Sequence, residues 1–332
     1  MSFLLVVLIA VAFTGCASTP EVEEPASSLR DLIKPPSRET ETISNPELET
    51  ATPLEDINWL YASIPENVSI WSVVNTGQQF VAVGFEKEPI AAAPGEAIIL
   101  TSSTERGPWL PIYVNSPSRL NGIAWSGETY VAVGNDGTVF RSENGVDWIP
   151  VDAKTTRNLN DIVWADNHFV AVGELGVSLT STDGLTWNTN PVATENNLYS
   201  IVYGGQRYVA AGDNGAIVTS RDGQTWSWQN TGVPNHLYNL TWDGLNFVAL
   251  GGRSGSLQGP VVLKSTDGEV WEIAGFNHPQ NYITGLTWGN GAYVATTYAG
   301  FASSEAYFSQ DGYYWEPING IAGYYRNVVW DG

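Results

Sequence analysis

LNGIAWSGETYVAVGNDGTVFRSENGVDW, residues 120–148, contains the pattern that decides the fold of this chain. Three apolar or alternating runs, Leu120 to Trp125, Tyr130 to Gly134 and Thr138 to Ser142, are separated by glycine, asparagine and aspartate, and a fourth run follows from Trp148 to Val151. β-branched and aromatic runs of this length, bounded by such turns, are typical of antiparallel strands joined by hairpins. The segment therefore predicts four short strands of one sheet.

The same pattern recurs along the chain. Its closing tryptophan returns after 39 residues in the first copies and after 45 and 44 residues in the last two, at Trp109, Trp148, Trp187, Trp226, Trp271 and Trp315. Such a period marks a propeller or a solenoid. A four-stranded sheet of this length cannot bury its own faces, and radial closure removes exposed sheet edges. We therefore predict an all-β fold, a β-propeller of four-stranded antiparallel blades, with six complete blades.

The two ends of the propeller region, residues 54–332, predict a further, partial blade. Trp59 fits the last strand of a blade that precedes the first complete one, and Tyr325 to Trp330 repeats the first strand of another. We expect a seventh blade that is shared between the two termini, in a full-length protein that continues beyond the C-terminus of this chain. The alternative is a six-bladed ring with frayed ends.

A short string, Ser-x-Asp-Gly-x-x-Trp, closes most copies of the repeat. It resembles the Asp-box, or bacterial neuraminidase repeat, although it is one residue shorter, and Asn144 replaces the aspartate in one copy. The resemblance implies a propeller of the sialidase-like and photosystem II stability factor-like superfamily. Identical residues repeated around a ring cannot all form one active site. We therefore predict a structural role in tight turns for the aspartates, which are Asp183, Asp222, Asp267 and Asp311.

Residues 1–16 predict a secretory signal. An apolar core of 11 residues, Phe3 to Phe13, is too short to span a bilayer and precedes Gly15 and Cys16. This segment resembles the bacterial lipoprotein signal, in which the cysteine is lipidated and becomes the new N-terminus. The resemblance implies that Cys16 anchors the protein to a membrane, although the basic residues that usually begin such a signal are missing. The alternative is an ordinary cleaved signal.

Residues 17–53 predict a disordered tether. This segment is rich in Pro, Glu, Ser and Thr and lacks aromatic residues, so it cannot offset the entropy of ordering. Together with the signal, it predicts a lipid-anchored protein of the bacterial cell envelope. Because Ala17 stands where an aspartate commonly retains lipoproteins at the inner membrane, the outer membrane or the cell surface is the expected location.

The charge of the chain excludes some classes of partner. The formal net charge is −21, and the residues after Pro53 include 11 basic and 27 acidic side chains. An acidic surface repels phosphates, so we expect no nucleic-acid partner and membrane attachment only through lipidated Cys16. A single cysteine rules out a disulfide within the chain, and three separated histidines give no metal-ligand spacing. We expect a monomer with no metal and no cofactor.

Specificity is expected where the copies differ. In a four-stranded antiparallel blade, the links between blades and the turns between second and third strands lie on one face, and the Ser-x-Asp-Gly turns lie on the other. Polar and aromatic side chains near the first strands suit a glycan or a peptide loop, the alternative being a solvated rim without a ligand. The candidate ligand-binding residues are Arg119, Arg157, Asn197, Tyr199, His236, Tyr238, Asn281, Tyr282 and Arg326, with Arg253 from an enlarged link.

Two functions follow from this interpretation. The first is a noncatalytic binding or assembly module, with no catalytic residues, for a glycan or protein partner at the variable face. The second is a sialidase-like glycoside hydrolase. That family uses an arginine triad, a tyrosine nucleophile with a glutamate, and an aspartic acid. Arg119, Arg157 and Arg326 are the candidates for the triad, but the first two fall at equivalent positions of the repeat, which favours repetition over recruitment.

Overall fold

The computed structural model describes residues 4–10, 57–61, 68–86, 96–104, 107–192, 194–252, 259–276, 282–298, 304–318 and 325–330. Six four-stranded antiparallel sheets are arranged as successive blades. Their inner strands contact one another in chain order, as a ring requires. The predicted β-propeller with six complete four-stranded antiparallel blades is therefore confirmed.

The strands follow the repeat closely. The first three blades comprise β3 (Val68–Asn75), β4 (Phe80–Glu86), β5 (Glu96–Ser102) and β6 (Leu110–Tyr113); β7 (Leu120–Trp125), β8 (Tyr130–Gly134), β9 (Thr138–Ser142) and β10 (Ile149–Asp152); and β11 (Leu159–Ala165), β12 (His168–Gly173), β13 (Ser178–Ser181) and β14 (Asn188–Asn190). The last three comprise β15 (Leu198–Gly204), β16 (Arg207–Gly212), β17 (Ile217–Ser220) and β18 (Ser227–Gln229); β19 (His236–Trp242), β20 (Phe247–Gly252), β21 (Val261–Ser265) and β22 (Glu272–Ile273); and β23 (Tyr282–Gly289), β24 (Ala292–Tyr298), β25 (Ser304–Ser309) and β26 (Glu316–Pro317).

A seventh sheet has three strands, β1 (Leu4–Ala10), β2 (Ile57–Tyr61) and β27 (Tyr325–Trp330). β1 is central in this sheet and pairs parallel with β2 and antiparallel with β27. β27 contacts the inner strands β23 and β3, which belong to the sixth and first blades. β1 lies within the segment that the sequence predicts to be a signal. Cys16 and residues 17–53 lie outside the described residues.

The hydrophobic core lies between blades rather than within them. One cluster combines Ala124 and Val131 of the second blade with Ile162 and Phe169 of the third, and four more clusters join the other neighbouring pairs of blades in the same way. A further cluster, which includes Ile98, covers the other side of the first blade. Each blade therefore needs its neighbours for burial, as expected from the size of one sheet.

Every inner strand of the six blades carries a β-bulge at the same place. In β11, Leu159 pairs with Gly173 and Asp161 pairs with Val172, so Asn160 is an extra residue. We refer to the six extra residues as the bulge residues. They are Trp71, Asn121, Asn160, Tyr199, Tyr238 and Thr284. A bulge bends the strand and redirects the side chain of the extra residue.

The bulge explains a glycine at or near the end of the second strand in five blades. A Cβ atom at Gly173 would lie 2.0 Å from the backbone oxygen of Asn158, and one at Gly134 would lie 2.1 Å from that of Arg119. Glycine is required there because of space, since the backbone of Gly173 is extended, with φ −176°. The sixth blade has Thr297 at the paired position.

The Ser-x-Asp-Gly turns lie on one face, which we call the lower face, and the links between blades lie on the upper face. In the third blade, Asp183 Oδ1 accepts hydrogen bonds from the N–H groups of Leu185 and Thr186, both at 2.8 Å, and from Ser181 Oγ at 3.0 Å. Partial burial alone would raise the pKa of Asp183, but these donors outweigh it and lower that pKa below its usual value.

The same turn bonds each blade to its neighbour. Gly184 has φ +71° and packs so closely on the second blade that an added Cβ would lie 2.7 Å from Val131 Cγ2. Arg141 of the second blade donates from Nε to the backbone oxygen of Asp183 at 2.9 Å. Lys264 of the fifth blade donates to the backbone oxygen of Asp311 at 2.6 Å. The turns thus join blades as well as strands. Within the described ranges, no helix has the length and apolar character that a membrane crossing requires.

Candidate binding site at the channel mouth

A cavity of about 560 Å³ lies at the centre of the ring, and the inner strands form its wall. All six bulge residues line it, and each lies within the first four residues of its inner strand, near the upper face. The cavity is therefore the mouth of the central channel on the face where the copies of the repeat differ. Because the residue before each bulge residue is a buried Leu or Ile, the bulge residues contribute much of the polar and aromatic chemistry of the mouth.

A cation and an indole ring form one side of the mouth. The guanidinium carbon of Arg119 lies 4.1 Å from the centre of the Trp71 ring, which is the geometry of a cation–π contact. Arg119 Nε also donates to Asn121 Oδ1 at 2.7 Å. Arg119 lines a second cavity of about 400 Å³ beside the mouth, together with Ser118 and Asp136. The predicted rim residue Arg119 is thus at the mouth, with its orientation fixed by the first two blades.

Two tyrosines form the opposite side. The rings of Tyr199 and Tyr238 have centroids 5.4 Å apart, and both line the cavity. Tyr199 donates its hydroxyl hydrogen to Asp213 Oδ1 at 2.7 Å. Burial, and then the nearby carboxylate of Asp213, raise the pKa of Tyr199 above its usual value. Tyr199 therefore stays a neutral phenol over the physiological range of pH.

Asp213 also organises two other predicted rim residues. Its Oδ2 accepts a hydrogen bond from Asn197 Nδ2 at 2.8 Å, and its Oδ1 lies 2.7 Å from His236 Nδ1. The backbone N–H of Asn214 lies 3.4 Å from the same histidine nitrogen. The shorter contact makes Nδ1 a donor to Asp213. Asn197, Tyr199 and His236 thus meet at one carboxylate that sequence reasoning did not single out.

Some rim residues support the backbone of the upper face. Asn158 Oδ1 accepts from the N–H of Asp136 at 2.9 Å, and Asn197 Oδ1 accepts from the N–H of Leu175 at 3.0 Å. Asp136 and Leu175 are the middle residues of tight turns and have φ of +56° and +52°. The amide of Asn197 is therefore already bonded on both sides, which argues for support of the turn rather than ligand contact.

Arg157 lies away from the mouth. Its Nη1 donates to the backbone oxygen of Leu175 at 3.1 Å, and it does not line the central cavity. The predicted equivalence of Arg119 and Arg157 is wrong. Leu120 and Leu159 occupy the same place in their strands, so Arg119, which precedes Leu120, corresponds to Asn158 and not to Arg157. The two arginines differ by one position in register. They consequently lie on different parts of the upper face.

Amides connect the inner strands around the channel. Asn121 Nδ2 donates to the backbone oxygen of Leu159 at 2.8 Å, and Asn160 Nδ2 donates to that of Leu198 at 2.7 Å. Each bond crosses from one blade to the next. These two bulge residues therefore stabilise the ring and also present their amide oxygens near the mouth.

A carboxylate follows the bulge in the third blade. Asp161 lines the cavity, is half-buried, and accepts hydrogen bonds from the N–H groups of Ile162 and Ile201, both at 2.9 Å. Removal from bulk water raises the pKa of Asp161 to about 6, although these donors and Ser200 act in the opposite direction. Asp161 is thus a carboxylate that titrates near neutral pH inside the channel.

Several predicted residues lie beyond what the structure describes. Arg253 and Asn281 fall outside the described residues, as does Cys16. Tyr282 and Arg326 are described only by their backbones, in β23 and β27. Among the described residues, no group of three or more histidine, cysteine, aspartate or glutamate side chains could hold a metal ion.

Sequence reasoning missed most of the channel wall. It identified Arg119, Tyr199 and Tyr238, but not Trp71, Asn121, Asn160, Asp161 or Thr284. A signal was present, because the residue after the first Leu or Ile of each inner strand changes from copy to copy while that Leu or Ile is retained. A variable position within a regular strand, as opposed to a loop, is the pattern that would have found the mouth.

The chain matches no protein-family model and no curated protein. Solved structures do match. A structure of YCF48 bound to D1 peptide gives a TM-score of 0.58 at 19% identity, and the match covers 77% of this chain and 84% of that one. The WD40 β-propeller domain of Doa1 gives TM-score 0.55 at 11% identity, covering 80% and 93%. The propeller domain of the Trilobed protease from Pyrococcus furiosus gives 0.50 at 10% identity, covering 77% and 84%. At these identities, the likeness establishes the β-propeller fold.

Proposed function

We propose that this chain is a noncatalytic binding module that takes a segment of a protein partner at its channel mouth. The observation that supports the proposal is that the residues which differ between blades meet there. Trp71 with Arg119, and Tyr199 with Tyr238, offer aromatic faces on opposite sides of a cavity of about 560 Å³. A concave site with aromatic walls and a few fixed polar groups suits a peptide segment.

The comparisons support only the class of the ligand, which is a segment of a protein. YCF48 has the same fold, and its structure contains a D1 peptide. The likeness to that protein at 19% identity does not carry over the identity of its ligand. A glycan is the other ligand with the required chemistry, since sugars also stack on aromatic rings and bond to amides.

We further propose that the protein is a lipoprotein of the bacterial cell envelope, anchored through Cys16, with residues 17–53 as its tether and the outer membrane or cell surface as its location. The Ser-x-Asp-Gly turns are proposed to be shortened Asp-boxes with a structural role. Because lipidation at Cys16 removes the residues before it, including β1, only β2 and β27 are proposed to stand in the place of a seventh blade in the mature protein, and the contacts of β27 with β23 and β3 support this assignment.

Site-specific photo-crosslinking in cells tests the binding proposal. A photoreactive phenylalanine analogue replaces Tyr238 at the mouth and, as the matched control, Trp228 on the outer strand of the fourth blade, whose side chain is 42% exposed. We expect one partner protein to crosslink from position 238 only, and to be lost when Trp71→Ala is added. Equal crosslinking from both positions, or none from the mouth, would reject a protein partner there. Binding on a glycan array that also depends on Trp71 would identify a sugar instead.

A sialidase-like activity is the second candidate, because Tyr199 donates to the carboxylate of Asp213 as a tyrosine nucleophile donates to its base. The raised pKa of Tyr199 opposes this role, since it disfavours the reactive phenolate. Arg119 and Arg157 also have different partners in different blades. Turnover of a fluorogenic sialoside by the full-length protein, lost in Tyr199→Phe and Arg119→Ala, would establish the enzyme in place of the binding module.

A further inference from the structure

The carboxylate of Asp161 departs from the pattern of the channel wall. The residue that follows the bulge is small or neutral in the other blades, where it is Ser72, Gly122, Ser200, Asn239 or Gly285. Neither the bulge nor the channel therefore requires a charge at this place.

A neutral side chain also performs the structural task of Asp161. Asp161 Oδ2 accepts the N–H of Ile201 in the next blade at 2.9 Å. In the following blade, Ser200 Oγ accepts the N–H of Leu240 at 3.3 Å. The two bonds connect neighbouring inner strands in the same way, so a hydroxyl is sufficient for the connection. The negative charge of Asp161 is additional to it.

That charge has no counterion in the part of the chain that the structure describes. No lysine, arginine or histidine there forms an ion pair with Asp161, and all its hydrogen-bond donors are neutral. Arg119 lines the same cavity but stacks on Trp71 and donates to Asn121. An unpaired carboxylate in a partly desolvated site is destabilising, which is why its pKa is raised to about 6.

The surroundings of Asp161 favour a cation. Asn160 uses its Nδ2 to donate to Leu198, and its Oδ1 accepts no hydrogen bond from any described residue. The tyrosine rings of Tyr199 and Tyr238 line the same cavity, and aromatic faces attract cations. A carboxylate, an amide oxygen and two aromatic rings together offer acceptors and negative potential.

We infer that Asp161 anchors a cation subsite inside the channel, which takes the ammonium or guanidinium group of a lysine or arginine side chain. The inference rests on the proposed function, since it assigns this side chain to the partner segment that enters the mouth. The entering group replaces water around the carboxylate and forms the ion pair that the ring itself does not supply.

Titration of the full-length protein with small probes tests the subsite without the partner. The probes are the Nα-acetyl methylamides of lysine, arginine and norleucine, and binding is measured by calorimetry. We expect saturable binding of lysine, arginine or both, and none of the neutral norleucine probe. Asp161→Ser, which keeps a hydroxyl for the N–H of Ile201, should weaken binding of the cation at least about tenfold. Asp152→Asn removes the same charge from the outer strand of the second blade and should leave the affinity unchanged.

The pH dependence separates a binding role from a structural one. Cation binding should weaken about tenfold between pH 7.5 and pH 5, because Asp161 protonates near pH 6, and the proton is released on binding. Tyr199, whose pKa is raised, stays neutral throughout this interval. Among the described residues, the other titratable side chains that line the cavity are Arg119 and Tyr238. Asp161→Ser should give a flat profile.

Two outcomes would overturn the inference. The first is equal binding of the neutral probe, and the second is an unchanged affinity or pH profile in Asp161→Ser. The inference and the proposed function fail separately. Mouth-specific crosslinking that is retained in Asp161→Ser, with no binding of the cationic probes, would reject the subsite and leave the binding module. Saturable binding of the cationic probes without a crosslinked partner would support the subsite and reject the proposed protein-binding module.

Discussion

Asp183 shows how one carboxylate fixes a tight turn. It accepts two backbone N–H groups and the hydroxyl of Ser181, and these bonds replace the backbone pairing that the turn lacks. In the second blade, an asparagine amide takes the place of the aspartate carboxylate. Asn144 Oδ1 accepts from the N–H groups of Val146 and Asp147 at 2.9 and 2.8 Å. The geometry therefore needs the acceptor oxygen and does not need the charge.

We expect Asp183→Ala to lower the free energy of unfolding by about 1 kcal/mol or somewhat more, and Asp183→Asn to have a smaller effect. Chemical denaturation of both variants measures the difference. Since the folded-state pKa of Asp183 is lowered, its charge stabilises the fold above the unfolded pKa of about 4 and this contribution is lost as the pH falls through the folded pKa. Asp183→Asn should therefore approach the wild type in stability at low pH. A constant difference between them at all pH values would contradict this account.

At the scale of the strand, the repeat predicts most of what the structure contains. Leu120 to Trp125, Tyr130 to Gly134 and Thr138 to Ser142 are predicted and observed with the same bounds. The fourth strand begins one residue late, at Ile149, because Trp148 belongs to the turn, where its Nε1 donates to the backbone oxygen of Gly145.

The bulges could not be predicted in the same way. An extra residue such as Asn121 lies in an inner strand whose residues are nearly all buried, so the apolar pattern does not fix the register and one sequence is compatible with both pairings. The stacking of Arg119 on Trp71 joins two blades, and it depends on the way the inner strands meet around the channel. Local sequence patterns carry no information about such contacts.

Gly173→Ala tests the link between the bulge and its glycine. The new Cβ would lie 2.0 Å from the backbone oxygen of Asn158, so the start of the inner strand must move, at a cost of about 3 kcal/mol. Gly232→Ala is the matched control, since its φ is +70° but no atom lies within 4 Å of the added Cβ, and it should cost about 1 kcal/mol. Thermal unfolding of the two variants compares them. A loss at Gly173 no greater than that at Gly232 would show that the bulge tolerates a side chain.

At the scale of the molecule, the core clusters join each blade to the next. Phe169 is 1% exposed and packs in the cluster shared by the second and third blades. Phe247 has the corresponding place in the cluster shared by the fourth and fifth blades. A defect at either site should consequently affect two blades, and the affected pair should change with the site.

Phe169→Ala should cost about 3–5 kcal/mol, because it leaves a cavity in a packed interface. Hydrogen exchange should show faster amide exchange in the second and third blades together, while Phe247→Ala should do so in the fourth and fifth. Mass spectrometry of peptides from each blade measures both. Exchange that rises in one blade alone would show that the blades are independent units, contrary to the position of the core.

At the six bulge residues of the mouth, the choice of side chain for binding is separate from the strand pairing that maintains the fold. Because each stands outside the pairing of its strand, its identity has changed from Trp to Asn, Tyr or Thr between copies, while the paired residue before it has stayed Leu or Ile. Changes at these places leave the strand pairing within each blade intact, although Asn121 and Asn160 also donate side-chain hydrogen bonds to the backbone of the next blade. A ring of this kind is consequently highly evolvable, and a combinatorial library restricted to the six sites would sample new specificities from a single stable scaffold.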